Sequence, residues 1–269
     1  MTYRHRPPHS QVPPPQPGGR RRRLGHGVPR PVALWASEAV ATALLLLAMT
    51  VLFRLLMHPG AWLHTHLASA DARLLTGAVV SGAVVAALIA SPLGRLSGSH
   101  ANPAVTVAMW AVRRLPGRHV PFYLSAQLAG SVLGTMTGRL LLGPALAHPA
   151  VNHALLGARP GLPATMVAIG EAIATGVLLV VVIRLARHPG LTDVTPVTMG
   201  TLLTALIAVM ANITGGSLNP ARQFGPWLLA GGAGTLWPYI VGPLAAALFV
   251  GAVAAALPAP ADGDDRPLS

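Results

Sequence analysis

The sequence predicts an all-α membrane protein: six transmembrane helices and two re-entrant half-helices, arranged as two inverted repeats. Three observations predict it. The 269-residue chain is 52% hydrophobic and only 10% charged, with a mean hydropathy of +0.57. Its apolar residues gather into runs of about twenty, each able to cross roughly 30 Å of hydrocarbon as a helix. The triplet Asn-Pro-Ala also occurs twice in matching surroundings, at Asn102-Pro103-Ala104 (SGSHANPAVT) and Asn219-Pro220-Ala221 (SLNPARQFGP), 117 positions apart (219 − 102).

The spans are expected at about 33–56, 73–91, 119–142, 163–185, 194–213 and 235–257. The first follows an arginine cluster but carries Glu38 and lacks a small-residue cleavage site close behind it, so it reads as a retained span rather than a signal peptide. Residues 1–32 hold seven of the 19 basic residues in a Pro-rich stretch that cannot bury a core, and read as a disordered cytoplasmic tail. Residues 258–269 form a short second tail. The net charge of +12 is therefore no folded basic face, and no nucleic-acid partner is expected. The absence of cysteine excludes a disulfide framework and a thiolate metal site. No cofactor and no metal are expected. With the N-terminus inside, fourteen arginines fall on the inner side and four (Arg54, Arg73, Arg139 and Arg159) on the outer, Arg222 set aside. This places both termini of a multi-pass cell-membrane protein in the cytoplasm.

Residues 33–257 form the expected membrane domain, with repeat one at 33–142 and repeat two at 163–257. Glu38 stands near the start of span 1 and Glu171 in span 4, and spans 2 and 5 are each followed by a small-residue turn and the triplet. Three spans per half is odd, so the second half lies upside down relative to the first, as in proteins that build a central pathway between inverted halves. Residues 102–114 would make a helix of only roughly 20 Å, and 219–230 are as short. Each reads as a half-helix entered from opposite faces, starting near the midplane.

The triplet has its own chemistry. Asparagine is a favoured N-cap and proline suits the first helical position, so Asn-Pro-Ala begins a helix. A turn at that depth is tolerated only where it lines a water-filled path. Two helix starts facing each other place partial positive charge at one point, and the Asn102 and Asn219 amides can donate to a passing molecule. A neutral oxygen-bearing solute is favoured there over a cation or a relayed proton. Arg222 agrees, because a membrane arginine costs about 2.5–3.5 kcal/mol on insertion scales unless it faces a cavity.

These residues resemble the major intrinsic protein family, the aquaporins and glycerol facilitators, over about residues 33–257. The likeness is carried by the paired triplets, Ser97-Gly98 and Thr214-Gly215 before them, Arg222 and Gly225-Pro226 after the second, Tyr123 and Gln127 in span 3, and Gly242-Pro243 in span 6. It implies an aquaporin-like fold, a homotetramer in the lipid bilayer, and Arg222 at an outer constriction. Family spacing places the other filter residues at Gly82, Ile207 and Gly216, with Ser81 taking the first place if the count slips by one. An aromatic and a histidine, found there in strict water channels, are missing, and Gln223 stands where glycerol facilitators have aspartate. The likeness is then to wide-filter members that pass glycerol-sized solutes or metalloid acids.

The implied function is a passive channel for water and small uncharged solutes that excludes ions and protons. A strict water channel and a proton-coupled secondary transporter are the alternatives. An enzyme would need a nucleophile with a base in reach, which no motif provides. Glu38 and Glu171 read as proton carriers or, as the family likeness implies, as anchors of the re-entrant loops. His100 supports or lines the inner vestibule, and Gln127 belongs with the loop supports. Gly130, Gly134 and Gly138 form a small-residue face for close packing, within or between protomers. The scattered His58, His64 and His66 carry no assigned role.

Overall fold

The computed structural model describes residues 31–67 and 69–257. The two expected tails therefore lie outside the described residues, apart from Pro31 and Val32, which open the first helix. Among the described residues there is helix and no strand. In chain order, α1 is Pro31–Met57, α2 Trp62–His66, α3 Ala70–Ala90, α4 Pro92–Ser97 and α5 Pro103–Ala111. α6 is Val120–Leu142, α7 Ala164–Arg187, α8 Thr195–Met210, α9 Pro220–Leu229 and α10 Trp237–Ala256.

All six expected spans are helices, and they are unequal. α1, α3, α7 and α10 are long and apolar enough to cross a membrane by length and composition alone. α6 is long, at 23 residues, but its buried face carries Gln127, Ser131 and Thr135 among glycines. α8 has 16 residues. The half-helices α5 and α9 have nine and ten residues, about 14 and 15 Å, too short to span.

Packing follows a two-fold pattern. α1 lies along α6 as α7 lies along α10; α5 packs on α10 as α9 packs on α6; α3 and α8 pack on each other. Glycine permits the close approaches. A side chain at Gly130 would meet the Ala39 carbonyl and Thr42, at Gly134 the backbone of Ala43, and at Gly138 the Thr50 side chain. The small-residue face of α6 is thus used within the protomer, against α1. Gly82 and Gly200 do the same work between α3 and α8: a Cβ at Gly82 would collide with Thr204 Oγ1 and the Gly200 carbonyl.

α3 ends at Ser91, which is driven to extended backbone (ψ 169°) by the following proline. Ser91 then caps α4, accepting from the N–H groups of Leu93 and Gly94. Gly98, at φ 90°, closes α4 in the left-handed conformation. The second repeat has no such extra helix: α8 runs into a short turn and then the second triplet.

Gly82→Leu should push α3 from α8 and cost about 1–3 kcal/mol or more. The check is a lower melting temperature of the detergent-solubilised protein. Gly190→Ala, with open space around its Cβ, should leave that temperature unchanged.

Candidate functional site

The two re-entrant turns are built alike. Residues before each triplet take left-handed backbone: Gly98 (φ 90°), Ser99 (41°) and Ala101 (43°) in the first, Gly215 (94°), Gly216 (66°) and Leu218 (52°) in the second. For Ser99, Ala101 and Leu218 this is strained, at about 1–3 kcal/mol each. A buried carboxylate holds each turn.

Glu38 Oε1 accepts from Ser97 Oγ (2.7 Å) and the His100 N–H (3.0 Å), while Oε2 accepts from the Ala101 N–H (2.9 Å) and Gln127 Nε2 (2.7 Å). Glu171 Oε1 accepts from Thr214 Oγ1 (2.7 Å) and the Ser217 N–H (3.1 Å), and Oε2 from the Leu218 N–H (2.7 Å). The donors are hydroxyl, amide and backbone groups, and both glutamates are fully buried. Tyr123 and Tyr239 complete the pattern by donating to the carbonyls of Ser97 and Thr214.

Thus held, the turns aim the starts of α5 and α9 at each other. Asn102 Oδ1 caps α5 by accepting from the Ala104 N–H, and Asn219 Oδ1 caps α9 by accepting from those of Ala221 and Arg222. The amide nitrogens reach across. Asn102 Nδ2 donates to the Leu218 carbonyl (2.9 Å) and Asn219 Nδ2 to the Ala101 carbonyl (2.8 Å). A side-chain amide has two N–H groups, so each asparagine spends one on locking the repeats together and keeps one. Pro103, Ala104, Pro220 and Ala221 are buried at the two helix starts.

Both asparagines line a cavity of about 640 Å³. It runs from Arg95, Thr192 and Asp193 at one end, past His100, Asn102 and Asn219, to Ser81, Ile207, Gly216 and Arg222. His100 Nδ1 lies 3.1 Å from Thr106 Oγ1, which also accepts from Gln127 Nε2 (2.9 Å).

Arg222 is only 7% exposed. Its Nη1 donates to the Ala154 carbonyl (2.8 Å), presented by a left-handed turn of Asn152, His153 and Ala154. Its guanidinium carbon lies 5.1 Å from the centre of the Phe53 ring. Gln223 clamps the same loop, donating to the Leu156 carbonyl (2.7 Å) and accepting from the Leu156 N–H (3.3 Å). An aspartate could not make both bonds, because an ionised carboxylate only accepts.

A sequence model of major intrinsic proteins matches residues 32–258. The chain belongs to the major intrinsic protein family. Among relatives of this major intrinsic protein, a protein of Archaeoglobus fulgidus named "Probable aquaporin AqpM" is 41% identical over 184 residues, covering 64% of this chain and 70% of the relative. The "Glycerol uptake facilitator protein-like 6" of Lactiplantibacillus plantarum is 36% identical over 155 residues, covering 56% of this chain and 70% of the relative. Among solved structures, the aquaglyceroporin from Plasmodium falciparum shares the fold, with a TM-score of 0.70 at 20% identity over 85% of this chain and 97% of that one. Membership makes the protein membrane-embedded.

The structure brings together Asn102, Asn219, Ile207, Gly216, Arg222 and His100 on one cavity, with Glu38, Glu171 and Gln127 behind it. Gly82 is the correction. It is buried in the α3–α8 contact and does not reach the cavity, whose lining at that level is Ser81. Counting back from Asn102 crosses the break at Ser91-Pro92 and the added helix α4, so a fixed spacing no longer tracks one helical face. Sequence reasoning missed Phe53 and the Ala154 carbonyl beside Arg222. α1 is apolar all round, so nothing in the sequence marks Phe53, and nothing in the sequence signals the carbonyl.

Glu171→Gln should leave at least one buried donor of the second turn facing another donor, at about 1–3 kcal/mol per orphaned group. The detergent melting temperature should fall. An unchanged temperature would mean that the carboxylate does not hold the turn.

Proposed function

We propose that this major intrinsic protein is a passive, ion-tight and proton-tight pore for water and small neutral solutes, with room for molecules of glycerol or metalloid-acid size. The observation that carries this reading is the cavity of about 640 Å³ threaded between the opposed triplets. At its centre lie two helix starts with their partial positive charge and one free N–H from each asparagine. Near one end stands the buried cation Arg222. A cation meets positive potential along this path, and a neutral molecule meets donors. Hydrogen-bond donors whose positions are fixed by the Asn102–Leu218 and Asn219–Ala101 bonds also orient a file of water, which disfavours proton relay.

The bonding of the glutamates speaks against a proton-coupled transporter. Each carboxyl group is occupied by at least three donors of its own turn and neighbouring helices, and neither lines the cavity. Both suit anchors of the turns. The filter reading is Ser81, Ile207, Gly216 and Arg222. The arginine asymmetry supports cytoplasmic termini in a cell membrane, and the family likeness supports a homotetramer, which native mass spectrometry from detergent would test.

Stopped-flow light scattering on proteoliposomes should show protein-dependent flux of water, glycerol, urea and boric acid. Flux of water alone would favour the strict water channel, and flux that needs a pH gradient would favour the transporter. Asn219→Asp keeps the cap oxygen but loses the donor to Ala101 and adds negative charge. Planar bilayers should record cation current with this variant and none with the wild type. Full insulation by Asn219→Asp would mean that Asn219 does not face the pathway.

A further inference from the structure

α1 runs beside two cavities. Leu45, Met49, Phe53 and Met57 recur every four residues, so neighbours in this series share a face that turns slowly around the helix. Leu45 and Met49 line the cavity of about 640 Å³, and the Met49 sulfur accepts from Ser81 Oγ at 3.3 Å. Phe53 and Met57 line a second cavity of about 570 Å³ under the loop that joins α6 to α7. Arg222 lines the first cavity and Phe53 the second. Their contact, 5.1 Å from guanidinium carbon to ring centre, thus stands where the two cavities abut.

We propose that Phe53 is the aromatic wall of the outer constriction and a specificity-determining residue of this pore. The proposal rests on the pore reading above and narrows it. The residue of α3 at this level is Ser81, and Gly216 contributes no side chain, so the larger side chains of the filter are only Ile207 and Arg222. The ring of Phe53 closes that space from α1. A cation within about 6 Å of a ring centre is held by the ring quadrupole, so the ring helps to hold the guanidinium in place. One of the five guanidinium N–H groups is spent on Ala154, and Arg222 lines the first cavity with donors to spare. A permeating molecule then meets donors from Arg222 beside the apolar surface of Phe53 and Ile207. This suits slim neutral polyols and amides, such as glycerol and urea, and refuses wider ones.

The test is the ratio of erythritol to water permeability in proteoliposomes carrying wild type, Phe53→Ala, Phe53→Leu or Ile207→Ala. Circular dichroism and gel filtration establish that each variant is folded and assembled. Phe53→Ala should raise the ratio by about threefold or more, and Phe53→Leu, which keeps most of the volume, by less; if the alanine variant fails to assemble, the leucine variant carries the test. A ratio that is unchanged in both Phe53 variants and raised in Ile207→Ala overturns the role of Phe53 and leaves the pore reading standing. Wild-type liposomes with no protein-dependent water flux overturn the pore reading itself.

Discussion

Two buried carboxylates make the rest of this structure possible. Each re-entrant turn places non-helical backbone deep in the membrane domain, where every unpaired N–H or C=O costs several kcal/mol. Glu38 and Glu171 each take up two backbone N–H groups and a hydroxyl of their own turn. The later of those N–H groups belongs to Ala101 or Leu218, the residue forced to positive φ just before the asparagine. Hydrogen bonds to the two carboxyl groups thus fall on the strained residues that aim the helix starts.

The remaining features follow from that aim. Because each turn ends at a cap asparagine, the spare amide of each repeat reaches the carbonyl one residue before the other cap, and the two halves lock through a reciprocal pair. The symmetry has limits. Gln127 gives Glu38 a fourth donor, whereas the corresponding site on α10, four residues beyond Tyr239, is Pro243 and offers none. On the far side of the triplets, α9 carries Arg222 to the Ala154 carbonyl, and α1 brings Phe53 against it. Arg222 is therefore placed by three separate segments.

Much of this was legible in the sequence. The paired triplets, the odd number of spans per half, the matching glutamates and Arg222 are local signals, and each names its own physical role. What was not legible depends on which face of an apolar helix looks inward. α1 is hydrophobic all round, so no polar stripe marks Leu45, Met49 and Phe53 as lining residues. Gly82 and Ser81 are neighbours on α3, and only the contact with Gly200 decides that the glycine faces α8. Gln223, a departure from the glycerol-facilitator pattern, is explained by the loop it clamps at Leu156, a contact far away in sequence.

On the proposed reading, solute passes between the two triplets and out past Ile207 and Arg222. The chain has no cysteine, so Ile207→Cys would give an organomercurial a single target. Treatment should abolish the water flux of Ile207→Cys proteoliposomes, a thiol reductant should restore it, and Ile173→Cys, on the exposed face of α7 at 65% exposure, should be unaffected. Full water flux through Ile207→Cys protein shown by mass to be completely mercurated would exclude this route.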